Sequence, residues 1–149
     1  MIAKIERGTA RPTASLLGRL SAAFGLPLSA LFSRVETQRE RVARASDQPT
    51  WTDPTSGYLR RSLSPSGTDP LQLTHIRLPA GARVSYPAEA FAFVHEQIWV
   101  LQGTLTFQEG AVVHMLRAGD CLALGPPAKC IFANTTRREC VYLVAVARR

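Results

Sequence analysis

The sequence predicts a mainly β protein, a sandwich or barrel preceded by a short α-helical segment. From residue 51 onward, short apolar or alternating runs are separated by Gly, Pro, Asn and Asp, a pattern typical of all-β domains. Before residue 33, apolar residues recur at helical spacing instead. The 149 residues, 46% hydrophobic and 19% charged, are enough for about one ordinary folded domain and exclude a disordered chain.

An α-helix is predicted over residues 13–24. Its apolar stripe follows one helical face and consists of Leu16, Leu17, Leu20, Ala23 and Phe24. Thr13 is the expected N-cap, and Gly25 is expected to end the helix in a left-handed conformation. A further helical turn is predicted over residues 28–32, and residues 2–7 have the pattern of the end of another helix.

The net charge of +7 is concentrated in the first third of the chain. Residues 1–46 hold eight Lys or Arg against three Glu, which gives +5 for this segment. An anionic partner such as nucleic acid would match this charge, and a solvated basic face is the open alternative. Residues 33–50 are polar and charged, which predicts a linker with a possible helical extension.

Nine strands are predicted in the rest of the chain: 58–63, 71–78, 83–86, 91–101, 104–108, 112–116, 121–124, 130–133 and 140–146. The strand over 140–146 is nearly all apolar. Such a strand is usually covered on both faces, so it is either a central strand of the barrel or part of a dimer interface.

The sequence also bears on location and cysteine chemistry. No run approaches the roughly 18 apolar residues of a membrane span, and the first residues lack the pattern of a signal peptide. We therefore expect a cytoplasmic protein without a membrane partner. Cys121, Cys130 and Cys140 form no C-x-x-C pair, so we expect buried free thiols and neither disulfides nor a zinc site.

Residues 1–32 carry the pieces I-x-x-I-E-R-G, R-P-T, L-x-x-L-x-x-A-F-G and L-F. This run resembles the second half of the helix-turn-helix domain of phage-repressor (XRE, Cro/C1-type) regulators. The resemblance implies that residues 2–7 are the later part of the recognition helix. It also implies that Lys4, Arg7 and Arg11 contact DNA phosphates.

Compared with that family, the first two helices and the start of the recognition helix are missing, so the chain resembles an N-terminally truncated member. Either the true start lies upstream of Met1 or the product is a remnant. In both cases the base-reading side chains are absent from these 149 residues. We therefore expect this chain to bind DNA weakly, with steep salt dependence, and a full-length form to bind operator DNA.

Two motifs further along the chain resemble those of cupin domains, small jelly-roll barrels often fused behind such helix-turn-helix domains as sensors. In the first, six residues separate Glu96 from Gly103. In the second, a Gly-Asp pair at 119–120 begins a segment that ends in Cys130-x-x-x-Asn134. The resemblance divides the chain into a partial helix-turn-helix domain over 1–32, a charged linker over 33–50 and a cupin domain over 51–149.

The metal ligands of metal-bearing cupins are not matched. Those proteins place two His before the motif Glu and a third in the second motif. Here the matching positions are Glu89 and Phe91, or Pro87 and Glu89, with Cys130 as the third. We therefore expect no metal and no cofactor. A set of Glu89, Glu96 and Cys130 is the unusual alternative that remains open.

A ligand pocket is expected inside the barrel. Alternation places Glu96, Ile98 and Val100 on one face, and the resemblance to cupins places that face inside. The other members of the expected binding set are Glu89, Phe91, Phe93, Cys130, Phe132 and Asn134. An apolar pocket with a carboxylate, an amide and a thiol suits a small molecule, although a filled core is the alternative.

Together these features predict a DNA-binding transcription regulator whose cupin domain senses a small-molecule effector. We expect it to act as a homodimer formed through the cupin domain, and we do not expect it to be an enzyme. Two alternatives remain. One is a cupin enzyme of the metal-dependent oxygenase, epoxidase or isomerase class. The other is a cupin ligand-binding module without DNA binding.

Overall fold

The computed structural model describes residues 12–26, 28, 41–65 and 70–148. The proposed DNA contacts Lys4, Arg7 and Arg11 lie outside the described residues. So do residues 33–40 of the predicted linker and residues 29–32 of the predicted helical turn. Within the described ranges, no helix is long and apolar enough to cross a membrane.

Helix α1 spans Ala14–Phe24 and begins and ends where its caps predict. The hydroxyl of Thr13 accepts a hydrogen bond from the backbone N–H of Leu16 at 3.3 Å. Gly25 adopts a left-handed conformation with φ 61°, which a residue without a side chain enters at little cost. The predicted N-cap and C-terminal stop are therefore confirmed.

The face that α1 buries differs from the predicted stripe. Its buried residues follow the spacing i, i+3, i+4, i+7 and are Ala14, Leu17, Gly18 and Ser21. Of the predicted stripe, Leu17 is buried while Phe24 is 64% exposed. Small side chains let the helix backbone approach the β region closely, so contact with the sheet decides which face is buried.

Within the described part of the chain, ten strands form two antiparallel sheets. The six-stranded sheet has the order β1 (Thr50–Thr52), β2 (Leu59–Ser62), β3 (Leu71–Leu78), β10 (Cys140–Arg148), β5 (Val94–Gln102) and β8 (Cys121–Ala123). The four-stranded sheet has the order β4 (Arg83–Tyr86), β9 (Cys130–Ala133), β6 (Thr104–Glu109) and β7 (Val112–Arg117). The core lies between the two sheets.

The strand predictions hold where alternation is strong. The bounds of β3, β4 and β9 are as predicted, and β1 was not predicted. The predicted strand over 91–101 is wrong at its start, because Ala88–Phe91 forms a 3₁₀ turn and β5 begins only at Val94. Pro87 caps this turn and carries no backbone N–H for the sheet, which favours a break there.

Strand β10 lies at the centre of the six-stranded sheet, between β3 and β5. Its inward residues are fully buried: Cys140, Tyr142, Val144 and Val146. The residues between them are only partly buried, so one face of this apolar strand lies at the molecular surface. The three cysteines are free, and Cys130 and Cys140 are buried as expected, but Cys121 is exposed.

Candidate functional site

A cavity of about 40 Å³ lies between the two sheets next to α1. This volume holds roughly two or three water molecules. Its polar lining residues are Tyr58, Arg60, Tyr86, Glu96 and Tyr142. Its apolar lining residues are Leu28, Ala90, Phe91, Val94, Phe132, Val144 and Val146. The barrel is therefore neither fully packed nor widely open, and its cavity suits a small ligand.

Strand register brings the charged groups of the cavity to one face. Arg60 pairs with Ile76, which in turn pairs with Tyr142, while Glu96 pairs with Val146 on the other side of β10. Because these positions share the inner face of the sheet, their side chains converge between the sheets.

The Arg60 guanidinium is itself buried. Its residue is only 5% exposed, and its Nη2 donates a hydrogen bond to the hydroxyl of Thr74 at 3.1 Å. A buried guanidinium is costly unless its donors are used, so this group is held by specific partners and not merely packed.

The Glu96 carboxyl titrates close to neutrality. Burial raises the pKa of Glu96 to about 7, and the positive charge of Arg60 opposes this rise. Near pH 7 the carboxyl is therefore protonated about half of the time. The same site can accept a hydrogen bond in one protonation state and donate one in the other.

All three tyrosines of the chain line this cavity. Burial, and then the nearby Tyr58, raise the pKa of Tyr86 well above its ordinary value, so its hydroxyl stays protonated. Burial likewise raises the pKa of Tyr142. Tyr58 interacts with the hydroxyl of Tyr86, but among the described residues no group forms a hydrogen bond of standard geometry with it. A buried donor without such a bond costs about 1–3 kcal/mol, which marks this hydroxyl for a ligand or a water molecule.

The aromatic part of the wall is tightly packed. The ring of Phe132 stacks on Tyr142 with centroids 6.0 Å apart, and it meets Tyr86 edge-on at 5.9 Å. Phe91 also meets Tyr86 edge-on, at 6.4 Å. These ring contacts fix the direction of the tyrosine hydroxyls before any ligand arrives.

The structure brings three residues of the expected binding set together in this cavity: Phe91, Glu96 and Phe132. Ile98 is fully buried but lies in the core, outside the cavity lining. Glu89 is exposed on the 3₁₀ turn, and Phe93 is 55% exposed. Phe93, a member of the expected binding set, does not line the cavity, and its ring lies beside Gly25 at the end of α1.

Asn134 holds a turn and does not line the cavity. Its side-chain amide donates to the backbone carbonyl oxygens of Leu78 at 3.0 Å and Arg138 at 2.7 Å. Its side-chain oxygen accepts from the backbone N–H of Thr136 at 3.0 Å. Because these bonds use the whole side chain, Asn134 ties the turn before β10 to the end of β3.

Cys130 also lies outside the cavity lining. It is fully buried, and its Sγ donates to the carbonyl oxygen of Ala128 at 3.4 Å. Burial, with smaller contributions from Glu109 and Glu96, raises the pKa of Cys130 to about 12. The thiol therefore stays protonated, which is the wrong form for a nucleophile.

The residues that match metal-ligand positions in cupins do not fit a metal ion here. Glu89 is exposed, Glu96 lies in the cavity, and Cys130 is buried in the core. Within the described part of the chain, no group of three or more His, Cys, Asp or Glu side chains could hold a metal ion.

Sequence reasoning missed four of the polar lining residues: Tyr58, Arg60, Tyr86 and Tyr142. One signal was available. Tyr58 and Arg60 alternate with Leu59 on a half-buried strand, so an arginine shares the face of a large aromatic residue. A charged residue at an inward strand position is uncommon and indicates a specific role.

Comparisons with known proteins place the fold. No family model matches the chain, and no curated protein matches it. Among solved structures, a helix-turn-helix (HTH_3) family transcriptional regulator from Vibrio cholerae is similar with a TM-score of 0.72. It is 22% identical, and the match covers 99% of this chain and 78% of that chain.

The barrel has further structural relatives. The cupin domain of an XRE family transcriptional regulator from Enterobacter cloacae is 18% identical, with a TM-score of 0.55. This match covers 60% of our chain and 95% of that chain. The fold is thus mainly β and cupin-like, with a short helix before the barrel, as the sequence predicts.

One expectation needs correction, namely that the chain is not an enzyme. A predicted oxalate decarboxylase from Thermotoga maritima has the same fold, with a TM-score of 0.56 and 14% identity. That match covers 72% of this chain and 99% of the other. Proteins named as enzymes share this barrel, so the absence of matching histidines was not sufficient reason to exclude catalysis.

Proposed function

We propose that this protein is a DNA-binding transcription regulator in which a small effector, bound in the cupin domain, controls the N-terminal segment. In this proposal residues 1–32 form part of a helix-turn-helix domain, residues 33–50 a linker and residues 51–149 the sensor. One observation carries the proposal: α1 packs directly on the residues that line the cavity.

The closest contact is between Gly18 and Tyr86. A Cβ atom added at Gly18 would lie 2.8 Å from Cδ1 of Tyr86 and 3.3 Å from Cδ of Pro87. Tyr86 thus has one side against the helix and also lines the cavity. Because Gly18 leaves no room for even a methyl group beside the Tyr86 ring, a ligand that displaces this ring toward α1 would push on the helix.

A second connection joins α1 to the strand that carries Arg60. Asp53 is 3% exposed and lies in the loop between β1 and β2. Its Oδ1 accepts a hydrogen bond from the backbone N–H of Ala14 at 3.2 Å. The backbone N–H of Asp53 donates to the carbonyl oxygen of Tyr58, a cavity residue, at 2.8 Å. The helix start and the cavity therefore share one hydrogen-bonded loop.

The DNA-binding part of the proposal is supported by charge and by the arrangement of the relatives. Lys4, Arg7 and Arg11 are proposed to contact phosphates, within a segment over 1–46 that carries a charge of +5. The Vibrio cholerae regulator matches the helical segment and the barrel together.

We assign the homodimer interface to the outer face of the six-stranded sheet. Its apolar residues are Leu71, Leu73, Trp99, Leu143 and Ala145, and Trp99 is 49% exposed. A contiguous apolar patch of this kind is typical of a contact surface. A second copy is the expected occupant, because helix-turn-helix proteins bind paired half-sites as dimers.

The experiment compares the wild-type chain with Gly18→Ala. Binding of mixed-sequence duplex DNA to the wild type is measured at low salt, and a library of small metabolites is screened for compounds that raise its melting temperature. We expect such a compound to change DNA affinity in the wild type. Because the methyl added in Gly18→Ala presses on the cavity residue Tyr86, the two proteins are compared at compound concentrations that saturate each thermal shift, and we expect Gly18→Ala to lose the DNA response there. The control is Ser15→Ala, an exposed position of the same helix. An unchanged DNA response in Gly18→Ala would contradict the proposal.

A second candidate function is catalysis in the same cavity. It is favoured by Glu96, whose pKa of about 7 suits a general acid or base at neutral pH. Turnover of any compound that binds the cavity, abolished in Glu96→Gln with binding retained, would support this candidate over pure sensing.

A further inference from the structure

We propose that the cavity binds a small organic carboxylate, whose charged end contacts Arg60 and the tyrosine hydroxyls and whose short apolar end contacts the valines. This inference rests on the proposed function, because it names the class of effector that the same cavity takes. It follows from the balance of donors and acceptors in the lining.

Donors outnumber acceptors among the polar lining residues. The guanidinium of Arg60 only donates, and the hydroxyls of Tyr58, Tyr86 and Tyr142 can each donate one hydrogen bond. Glu96 is the one carboxyl among these lining residues. Burial favours the neutral form of Glu96, and with Glu96 neutral the Arg60 charge leaves the lining with a net positive charge and an excess of donors. A ligand that supplies anionic oxygen atoms is the complement of such a site.

Burial makes these donors selective. Arg60 and Tyr86 are each 5% exposed, and Tyr142 is 1% exposed. The Tyr86 hydroxyl interacts with Tyr58 but completes no hydrogen bond of standard geometry within the described ranges, so a ligand oxygen there would satisfy a buried polar atom. Hydrogen bonds to a charged oxygen are also stronger in a site that excludes water.

The rest of the lining selects the shape of the ligand. Val94, Val144, Val146 and Phe91 present only hydrocarbon to the cavity. With a volume of about 40 Å³, the cavity has room for a ligand of a few heavy atoms and excludes a sugar ring. A carboxylate with one or two aliphatic carbons meets both requirements.

A cationic ligand is disfavoured by the same geometry. An ammonium group would lie in a low-dielectric cavity beside the positive charge of Arg60, with only Glu96 to offset the repulsion. The tyrosine hydroxyls would have to accept hydrogen bonds from it and leave their own protons without partners. The cavity therefore distinguishes anions from cations by sign of charge as well as by hydrogen bonding.

The test is isothermal titration calorimetry of the full chain with acetate and propionate at pH 6.5. Acetamide, propionamide and propylammonium serve as matched probes of similar size. We expect the two carboxylates to bind at least tenfold more tightly than the amides, and propylammonium to show no binding. Arg60→Met should lower carboxylate affinity at least tenfold. Arg77→Met, which removes an exposed arginine paired with Glu139, should leave it unchanged.

Equal or tighter binding of an amide or of propylammonium would overturn the carboxylate assignment while leaving a ligand-binding cavity in place. Absence of binding for every probe to the natively folded chain would overturn it as well. If Arg60→Met fails to fold, the ranking of probes on the wild type still decides. Carboxylate binding that leaves DNA affinity unchanged would instead contradict the regulator proposal and keep the ligand class.

Discussion

The carboxylate of Asp53 accepts a hydrogen bond from the backbone N–H of Ala14, 39 residues earlier in the chain, at 3.2 Å. The same side chain accepts from the backbone N–H of Ser56 at 3.0 Å, through its other oxygen. A negative charge at a helix N-terminus is favourable, because the first N–H groups of the helix have no partners within it. The loop before β2 therefore supplies the cap that anchors α1 to the barrel.

Replacing this carboxylate should loosen α1 first. We expect Asp53→Ala to lower the free energy of unfolding by about 2 kcal/mol, because it removes a cap and leaves buried N–H groups without partners. Urea unfolding measures this change. In Asp53→Ala the rate of hydrogen exchange should also increase more at the amides of α1 than at the amides of β10. Asp47→Ala, at an exposed position, is the control and should change neither quantity. If the amides of α1 are equally protected from hydrogen exchange in Asp53→Ala and Asp47→Ala, Asp53 does not anchor the helix.

The stability of the protein should depend on pH through Glu96. Its pKa in the folded state, about 7, is higher than its ordinary value of 4.5, so the folded state holds more protons between these two pH values. Stability from this group is therefore greatest at low pH and decreases as pH rises from about 4.5 to about 7. The total loss is about 3 kcal/mol at most.

The comparison of wild type with Glu96→Gln isolates this contribution. Groups facing Glu96 include Arg60 from β2, Tyr86 from β4, Tyr142 from β10 and Cys130 from β9. The raised pKa values of Tyr86, Tyr142 and Cys130 keep these three groups neutral in this pH range. We expect Glu96→Gln to be more stable than wild type at pH 8, with the difference vanishing near pH 4.5. Glu89→Gln, on the exposed turn, is the control, and a difference independent of pH would refute the assignment.

The hydroxyl of Tyr86 should contribute to binding and not to folding. Because this buried donor completes no hydrogen bond of standard geometry in the described structure, Tyr86→Phe should change the free energy of unfolding by less than about 1 kcal/mol, or increase it. Carboxylate affinity measured by calorimetry should fall severalfold. A loss of stability above about 2 kcal/mol would mean that the hydroxyl has a structural role.

Association should depend on the outer face of the six-stranded sheet. We expect wild-type protein to sediment as a dimer at tens of micromolar and Leu73→Glu to sediment as a monomer, because a buried unpaired carboxylate opposes association. Val113→Glu is the matched control, since Val113 is a 59% exposed apolar residue on the other sheet. If the wild type is a monomer, or if both variants lose dimer formation to the same extent, this face is not the interface.

Local patterns predict the elements of this fold well. Thr13 and Gly25 bound α1 as expected, because capping depends on a few neighbouring residues. Alternation gives the limits of β3 and places Glu96 and Ile98 on an inward face. The resemblance to cupins, which rests on motifs and not on periodicity, predicts that these strands form a jelly-roll barrel.

The cavity was harder to predict because it depends on partners far apart in the chain. Arg60 reaches the site only because β2 pairs with β3 and β3 with β10, a register that no local pattern states. Asn134 and Cys130 were expected in the pocket from motif position alone. Asn134 instead donates to the carbonyl oxygen of Leu78 and stabilises a turn. Cys130 donates to the carbonyl oxygen of Ala128 and packs in the core.

The Asp53 cap also has a consequence for how such proteins can be recombined. A boundary drawn by composition near residue 51 cuts between a helix and the side chain that completes it. A chimaera that joins the helical segment to another sensor at that point would leave Ala14 without its capping partner. The exchangeable unit is therefore the helix together with the loop that follows β1. Grafts that carry both should keep the hydrogen bond that joins the helix to this loop.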